Sequence, residues 1–251
     1  MDDDRQFIAS LERGLRLLQE LARSRGGATN SELAERTGLA RSTISRLVHT
    51  LRTLGYLTLD PACRRYVLTP KVLTLGYSVL SDANLLQTVR PALQRIAEST
   101  GETTALAVHD GLYATFVGCA RGGNLLAVQV ETGARLPMAS SASGLALLKA
   151  MPEEERKRVI FRLRRNMSEH NLDDAPFNRR LKAALSSDVA IVCDAWHQGI
   201  GGIAVPVRIA NDIGAIAIAV STGVVSKHRM RRELAHCILE TVRDFQIELA
   251  H

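Results

Sequence analysis

In the first quarter of the chain, apolar residues recur every three or four positions, which is the period of an amphipathic helix. Ser10 is placed to cap a first helix of about a dozen residues. Its predicted buried stripe is Leu11, Leu15, Leu18 and Ala22. The pattern therefore predicts that the chain begins with the first helix of a small helical bundle.

Two shorter helices follow the first. Thr29 and Glu32 have the spacing of a capping box, which predicts a second helix that ends at Thr37 and Gly38. A third helix is predicted from Arg41 to Leu54, with Gly55 as its stop. The short turn between these two helices is typical of a helix-turn-helix.

After the third helix, the spacing of apolar residues changes from three or four positions to two. Tyr56–Leu59 and Arg65–Leu68 read as the strands of a hairpin, and Pro70–Asn84 reads as a linker helix with proline in its first turn. The predicted organisation is a first domain over residues 1–69, the linker helix over residues 70–84 and a second domain over residues 85–251.

The rest of the chain mixes helical and alternating segments, which predicts an α+β domain with a largely antiparallel sheet. Its predicted helices are Leu85–Thr100, Ser141–Lys149, a stretch from Pro152, Phe177–Leu185 and Ser226–Leu249. Its predicted strands are Thr103–His109, Leu112–Val117, Leu125–Val130, Val189–Cys193, Ile200–Val207 and Ile213–Ser221.

The third helix carries the most informative polar face. One side is an apolar stripe, and the other combines hydroxyls, a histidine and an arginine with no acid. Short polar groups allow close approach to a major groove, where arginine reads guanine through two hydrogen bonds. The residues predicted to contact double-stranded DNA are Thr29, Arg41, Ser42, Thr43, Ser45, Arg46, His49, Thr50, Arg64 and Arg65.

Charge supports the same interpretation. The chain has 32 Lys and Arg against 26 Asp and Glu, a net charge of +6. From Arg5 to Pro70 there are eleven arginines and five acids, an excess of six that equals the whole net charge. The basicity is therefore concentrated where a DNA backbone would lie. The alternative is a plain three-helix bundle with a solvated polar face.

Other classes of function find little support. The four cysteines include no C-x-x-C pair, so no metal site is predicted. The acidic start is no signal peptide and the apolar runs are too short for a membrane span, which predicts a cytoplasmic protein without a membrane partner. No G-x-S-x-G motif is present, and Gly199–Ala204 fails as a dinucleotide motif because a strand continues through it. We therefore expect no cofactor and no enzymatic activity.

The sequence resembles the IclR family of bacterial regulators over almost its whole length. The matching segments in the first half are Ser10–Leu15, Glu32–Ala34, Thr37–Leu39, Ser42–Leu47, Leu54–Leu57, Tyr66–Pro70 and Leu75–Gly76. Those in the second half are Arg90–Pro91, Thr100–Glu102, Gly133–Met138, Ser143–Leu148 and Ile203–Val207. Their order and spacing over two domains make the resemblance specific.

The resemblance implies a winged helix-turn-helix, a linker helix and a GAF-like domain that binds a small-molecule carboxylate effector. It also implies a homodimer or homotetramer on a palindromic operator. Leu68–Tyr77 resembles the branch that regulates aromatic-acid and beta-ketoadipate catabolism.

The family's effector pocket would fall on segments of the second domain. The residues so implied are Leu125, Met138, Ser140, Ser141, Ala142, Ser143, Asp194, Trp196, Val205, Ala219 and Ser221. Trp196 and Ala219 depart from the family's polar residues, which suggests a larger, apolar pocket for an aromatic acid. The alternative is that Trp196 is an exposed or interface residue.

Two rival functions are an enzyme with an accessory DNA-binding arm and an interaction module that uses the winged helix for dimerisation. Turnover of an aromatic acid would support the first. Failure to shift promoter DNA would support the second.

Overall fold

The computed structural model describes residues 7–24, 26–76, 84–209 and 212–250. The chain divides into two compact units, Met1–Asp82 and Ala83–His251. Of the predicted linker helix, Pro70–Val72 is a 3-10 turn that continues into a helix over residues 73–76. Residues 77–83 of that helix lie outside the described residues.

The first unit contains the predicted helices and hairpin. Its elements are α1 (Ala9–Arg23), α2 (Asn30–Thr37), α3 (Arg41–Thr53), β1 (Leu57–Asp60) and β2 (Arg65–Leu68). The capping box of α2 is present, and the strands β1 and β2 pair in antiparallel fashion. The buried core residues of this unit are Leu17, Leu21, Ala28, Leu33, Ile44, Val48, Leu51 and Leu57.

The predicted face of α1 was largely wrong, although Leu18 of the predicted stripe packs against the core. Leu17 and Leu21 are buried, whereas Leu11 and Leu15 are 60% and 50% exposed. Ser10 lies inside the helix, because Ile8 occupies the N-cap position. Apolar residues occur on two faces of α1, and helical spacing alone does not decide which face packs on the core.

The second unit is an α+β domain, as predicted. Its helices are α4 (Asn84–Thr100), α5 (Ala142–Ala150), α6 (Glu153–Glu169), α7 (Ala175–Leu185) and α8, which comprises Lys227–Arg229, a π-helical turn at Met230–Leu234 and Ala235–Asp244. Its strands are β3 (Thr103–Asp110), β4 (Tyr113–Ala120), β5 (Arg135–Pro137), β6 (Ala190–Cys193), β7 (Ile200–Ile209), β8 (Asp212–Ser221) and β9 (Glu248–Leu249).

In the described residues these strands form one antiparallel sheet of order β5-β4-β3-β8-β7-β6, with β9 also paired to β7. Helices α4 and α8 pack on one face, around Ile203, Val205 and Ile216. Helices α5, α6 and α7 pack on the other face, around Ala204 and Ala217. Alternate residues of β7 and β8 therefore serve two separate cores.

Two predicted elements of this unit were wrong. Leu125–Val130 is not a strand, because β5 occupies the free edge of β4 and Asn124 is held by the Gly101 carbonyl. The last helix ends at Asp244 and not Leu249, because β9 pairs with Val207 and Arg208 on β7. Among the described helices, none combines the length and apolar character that crossing a membrane requires.

Candidate DNA-binding surface and effector site

The polar face of α3 is open to solvent. Ser42, Ser45, Arg46, His49 and Thr50 are exposed, and Thr43 is half-buried. On the other side of the helix, Ile44, Val48 and Leu51 are buried in the core of the first unit. Leu54, the last residue of the predicted helix, is 52% exposed. The core thus fixes which side of α3 faces outward.

The cations of this surface keep their charge available. Among the described residues, Arg41, Arg46 and Arg64 form no ion pair. The Thr50 hydroxyl donates to the Arg46 carbonyl oxygen at 3.0 Å, and its oxygen still has acceptor capacity. The face therefore offers one guanidinium and several small hydrogen-bonding groups at helical spacing.

Arg65 and Thr29 have partners inside the unit. Arg65 Nη2 lies 2.7 Å from Glu32 Oε2, and its Nε donates to the Gly27 carbonyl at 3.2 Å. The Thr29 hydroxyl accepts from the Glu32 backbone N–H as the N-cap of α2. These two predicted DNA contacts therefore tie the hairpin to the start of α2. The Arg65–Glu32 pair could not be predicted from local patterns, since 33 positions separate the partners.

The pKa of Glu32 lies below its ordinary value of 4.5, first because the Thr29 backbone N–H binds the carboxylate and second because Arg65 does. A carboxylate with a lowered pKa stabilises the fold above its unfolded pKa and loses that contribution as pH falls through the folded value. Glu32→Gln, which keeps the capping geometry, is therefore expected to destabilise the protein at about pH 7 and to differ less from the unsubstituted protein at about pH 2.5.

The measurement is the urea midpoint of both proteins at the two pH values, followed by circular dichroism. Glu35→Gln is the matched control, because Glu35 is an exposed acid of the same helix. A difference that persists unchanged at the acidic pH would contradict the ionic role of Glu32.

The hairpin turn presents Arg64. This residue is exposed and has a left-handed backbone, φ 53°. Asp60 accepts a hydrogen bond from the Ala62 N–H at 2.8 Å, and this bond is the main cause of its lowered pKa. The Asp60 side chain thus fixes the turn from which Arg64 extends.

In the second unit, the start of α5 gathers most of the predicted effector residues. Met138, Ser141, Ala142 and Ser143 are buried, and Ser140 is half-buried. Ser141 is the N-cap of α5: its hydroxyl accepts from the Gly144 N–H at 3.2 Å and donates to the Pro137 carbonyl at 2.9 Å. Among the described residues, the backbone N–H groups of Ala142 and Ser143 donate to no backbone carbonyl.

This helix start lies against β7 and β8. A Cβ placed on Gly202 would lie 3.5 Å from the Ala142 Cβ. Gly202 pairs with Ala219, which is half-buried. Gly202 was not among the predicted site residues, although its missing side chain is what leaves room beside Ala142.

Asp194 shapes a loop at the same end of the sheet. It has φ 54°, and its Oδ1 accepts from the Gly199 N–H and the Thr222 hydroxyl, both at 2.8 Å. The Thr222 hydroxyl is the main cause of its lowered pKa. Trp196 on this loop is 49% exposed, with its ring 6.1 Å from that of His197. Asp194 therefore has a structural role, and its second oxygen remains available.

Three predicted effector residues lie elsewhere. Val205 belongs to the core under α4 and α8, on the opposite side of the sheet from Ala142, because successive strand residues alternate faces. Leu125 is 99% exposed, so it is no wall of an enclosed pocket. Leu125 and Ser221 instead line an open groove of about 600 Å³.

That groove contains residues that the sequence interpretation missed. Glu102 is 2% exposed, and its Oε1 accepts from Asn124 Nδ2 at 3.0 Å. Arg229 Nη1 lies 4.0 Å from the same oxygen. The buried carboxylate holds the segment after β4 next to the start of α8. Glu102 belongs to the family-matching segment Thr100–Glu102, but no role was predicted for it.

The matches to known protein families correspond to the two units of the fold. Residues 10–61 match the IclR helix-turn-helix domain, and residues 77–247 match the bacterial transcriptional regulator IclR C-terminal domain. The Pca regulon regulatory protein of Pseudomonas putida is 30% identical over 246 residues, covering 96% of this chain and 84% of that protein.

Two solved structures are similar over nearly the whole chain. An IclR family transcriptional regulator from Brucella abortus is 28% identical, with a TM-score of 0.71 and coverage of 98% of this chain and 94% of that one. An IclR homolog from Microbacterium hydrocarbonoxydans, complexed with 4-hydroxybenzoate, is 23% identical, with a TM-score of 0.69 and coverage of 94% and 100%. At that identity the second likeness concerns the fold alone.

Proposed function

Because this chain belongs to the IclR family of bacterial transcriptional regulators, we propose that it binds operator DNA through α3 and responds to a small organic acid bound in its second unit. The observation that carries the first part is the exposed, acid-free face of α3 beside an exposed arginine at the hairpin tip. Such a face fits the major groove, and the hairpin fits the adjacent backbone or minor groove.

The residues divide into three roles. Arg46 reads a base, with Ser45, His49 and Thr50 beside it at the groove floor. Ser42, Thr43, Arg41 and Arg64 contact phosphates, helped by the free N–H groups at the start of α3. Thr29 and Arg65, which are engaged with Glu32, position the hairpin and make no DNA contact in this proposal.

A homodimer on a palindromic operator is part of the proposal. Phe7 and Ile8, just before α1, and Leu11 and Leu15 of α1 form an apolar patch, each residue at least 50% exposed. A second copy would bury this patch in a self-complementary contact. Pairing of dimers into a homotetramer is a further expectation from the family. A full-length protein that sediments as a monomer at micromolar concentration would contradict the dimer.

The effector carboxylate is proposed to bind the Ala142 and Ser143 N–H groups at the start of α5, where the helix dipole favours an anion. Gly202 and Ala219 leave space for the body of the ligand, and Met138 and Trp196 are candidates for its apolar contacts. The similarity to the Pca regulon regulatory protein supports an aromatic acid. Effector binding changes operator affinity only if the dimer has two arrangements that bind the acid with different affinities.

Ala142→Pro tests the effector site by removing one N–H donor. Proline suits the first position of a helix, and Ser141 already has the extended backbone that precedes proline, φ −122° and ψ 147°. We expect affinity for 4-hydroxybenzoate, measured by calorimetry, to fall about tenfold, because a hydrogen bond to a charged group is lost.

An uncharged analogue, 4-hydroxybenzyl alcohol, is the control ligand, and its affinity for both proteins is expected to be equal. Equal loss for acid and alcohol would argue against the proposed carboxylate contact. Preference of the unsubstituted protein for glyoxylate over aromatic acids would argue against the aromatic ligand.

We further infer that the chain acts as a regulator and not as an enzyme, and that it works in the cytoplasm, where bacterial DNA lies. The similarity to regulators supports both statements. Turnover of an aromatic acid by the purified protein would contradict the first.

A further inference from the structure

Helix α6 of the second unit presents a basic face with an aromatic residue at its centre. From Arg156 to Ser168 the sequence contains six cations and no acid. Phe161, in the middle of this run, is 69% exposed. A single exposed phenylalanine is ordinary at a protein surface, and what distinguishes this one is the cations around it and the groove beside it.

The inner face of α6 is well defined. Val159, Leu163 and Met167 are buried at helical spacing and pack in the core beneath α5 and α7. At 100° per residue, Phe161 lies on the opposite side of the helix, flanked by Arg158 and Arg165. Arg158 and Arg165 are exposed. The packing of α6 thus forces the aromatic ring into solvent.

Next to this face is a groove with an apolar floor. It has a volume of about 430 Å³ and is lined by Arg164 of α6 and by Leu181, Lys182 and Leu185 of α7. Leu181 is 7% exposed and Leu185 is 40% exposed. Arg164 Nη2 donates to the Asn178 Oδ1 at 2.8 Å and its Nε lies 3.8 Å from Asp174 Oδ2, which together hold the guanidinium at the rim. We name Phe161, Arg164, Lys182 and Leu185 the α6–α7 surface.

We propose that the α6–α7 surface binds an acidic amphipathic helix of a partner protein. Leucine-type side chains of such a helix fill the groove over Leu181 and Leu185, Phe161 extends the apolar contact, and its carboxylates meet Arg164 and Lys182. Aromatic and arginine residues around an apolar centre are the composition that protein interfaces favour.

Other occupants fit less well. A second copy of the chain in a two-fold contact would bring the same cations against each other, which costs free energy. Duplex DNA offers phosphates to the cations but nothing for the apolar groove or the Phe161 ring. Single strands stack their bases on several aromatic side chains in succession, and the described part of this surface has one.

The test uses the full chain and two fluorescein-labelled peptides of about 18 residues. One carries leucine at helical spacing with glutamate elsewhere, and the other replaces each leucine by serine at the same charge. We expect the leucine peptide to bind at least about tenfold more tightly in fluorescence anisotropy. Phe161→Ala and Lys182→Glu should each weaken it about fivefold or more, while Phe161→Leu should restore most of the affinity.

Arg232→Glu is the charge-matched control, since Arg232 is an exposed arginine of α8 outside this surface, and it should leave the affinity within about twofold. Equal binding of both peptides would overturn the proposal, as would an unchanged affinity in Phe161→Ala. Competition by duplex or single-stranded DNA that requires Phe161 and Lys182 would overturn it in favour of a nucleic-acid site. Operator binding, measured on the same samples, should be unaffected by these substitutions.

Discussion

Replacing Arg46 by alanine is expected to weaken binding to a specific operator duplex by about 1–3 kcal/mol, the loss typical of an arginine that reads a base through two hydrogen bonds. Arg46 is exposed on α3, with no ion pair among the described residues to compete for its guanidinium. The measurement is fluorescence anisotropy with an operator fragment defined by footprinting of the upstream promoter region.

The expected loss is selective. Affinity for unrelated duplex should change little, and discrimination should relax at one base pair of each half-site. Arg13→Ala is the matched control: Arg13 is an exposed arginine of α1, and its removal should produce only a small change. An unchanged footprint and affinity in Arg46→Ala would refute the base-reading role. A uniform loss on all sequences would reassign Arg46 to the DNA backbone.

Replacing Gly144 by alanine is expected to destabilise the second unit, although alanine is normally the better residue inside a helix by about 0.5–1 kcal/mol. A Cβ at this position would lie 2.2 Å from the Met138 Cα and 2.4 Å from the Met138 carbonyl oxygen. Met138 is fully buried, so its backbone has little room to move. We expect a loss on the order of 1–3 kcal/mol in the free energy of unfolding, as for other overpacked cores.

The contact that Gly144 permits also places the proposed effector donors. If the segment from Pro137 to Ser141 is displaced, the start of α5 moves with it, and affinity for the aromatic acid should fall together with stability. Urea unfolding and calorimetry measure the two effects. Gly123→Ala is the control, because a Cβ on Gly123 would meet no atom within 4 Å. A Gly144→Ala protein as stable as the control would show that this close approach is not required.

The local rules of helix formation were enough for much of the fold. The capping box at Thr29 and the glycines after α2 and α3 act within a few residues of chain. The polar face of α3 was predictable for the same reason, since its apolar stripe could face only one way. Candidate DNA contacts on that helix follow directly from its period.

Contacts between distant segments decided the rest. In α1 two apolar faces compete, and only the packing of Leu17 and Leu21 against α2 and α3 selects one and leaves the other for a partner. Arg65 looks like a free cation in the sequence, but folding places it on Glu32. The effector residues were least predictable, because Val205 and Ala142 lie on opposite sides of one sheet.

What the sequence determined by itself is therefore the type of each strongly periodic element, the basicity of the first unit and the acid-free face of α3. These properties depend on neighbouring residues and on composition. Tertiary structure alone decided which apolar face is buried, which arginine is neutralised and which strand edge is occupied. Each of those outcomes is a competition between segments far apart in the chain, and its result depends on which contact removes more apolar surface and leaves fewer unpaired charges.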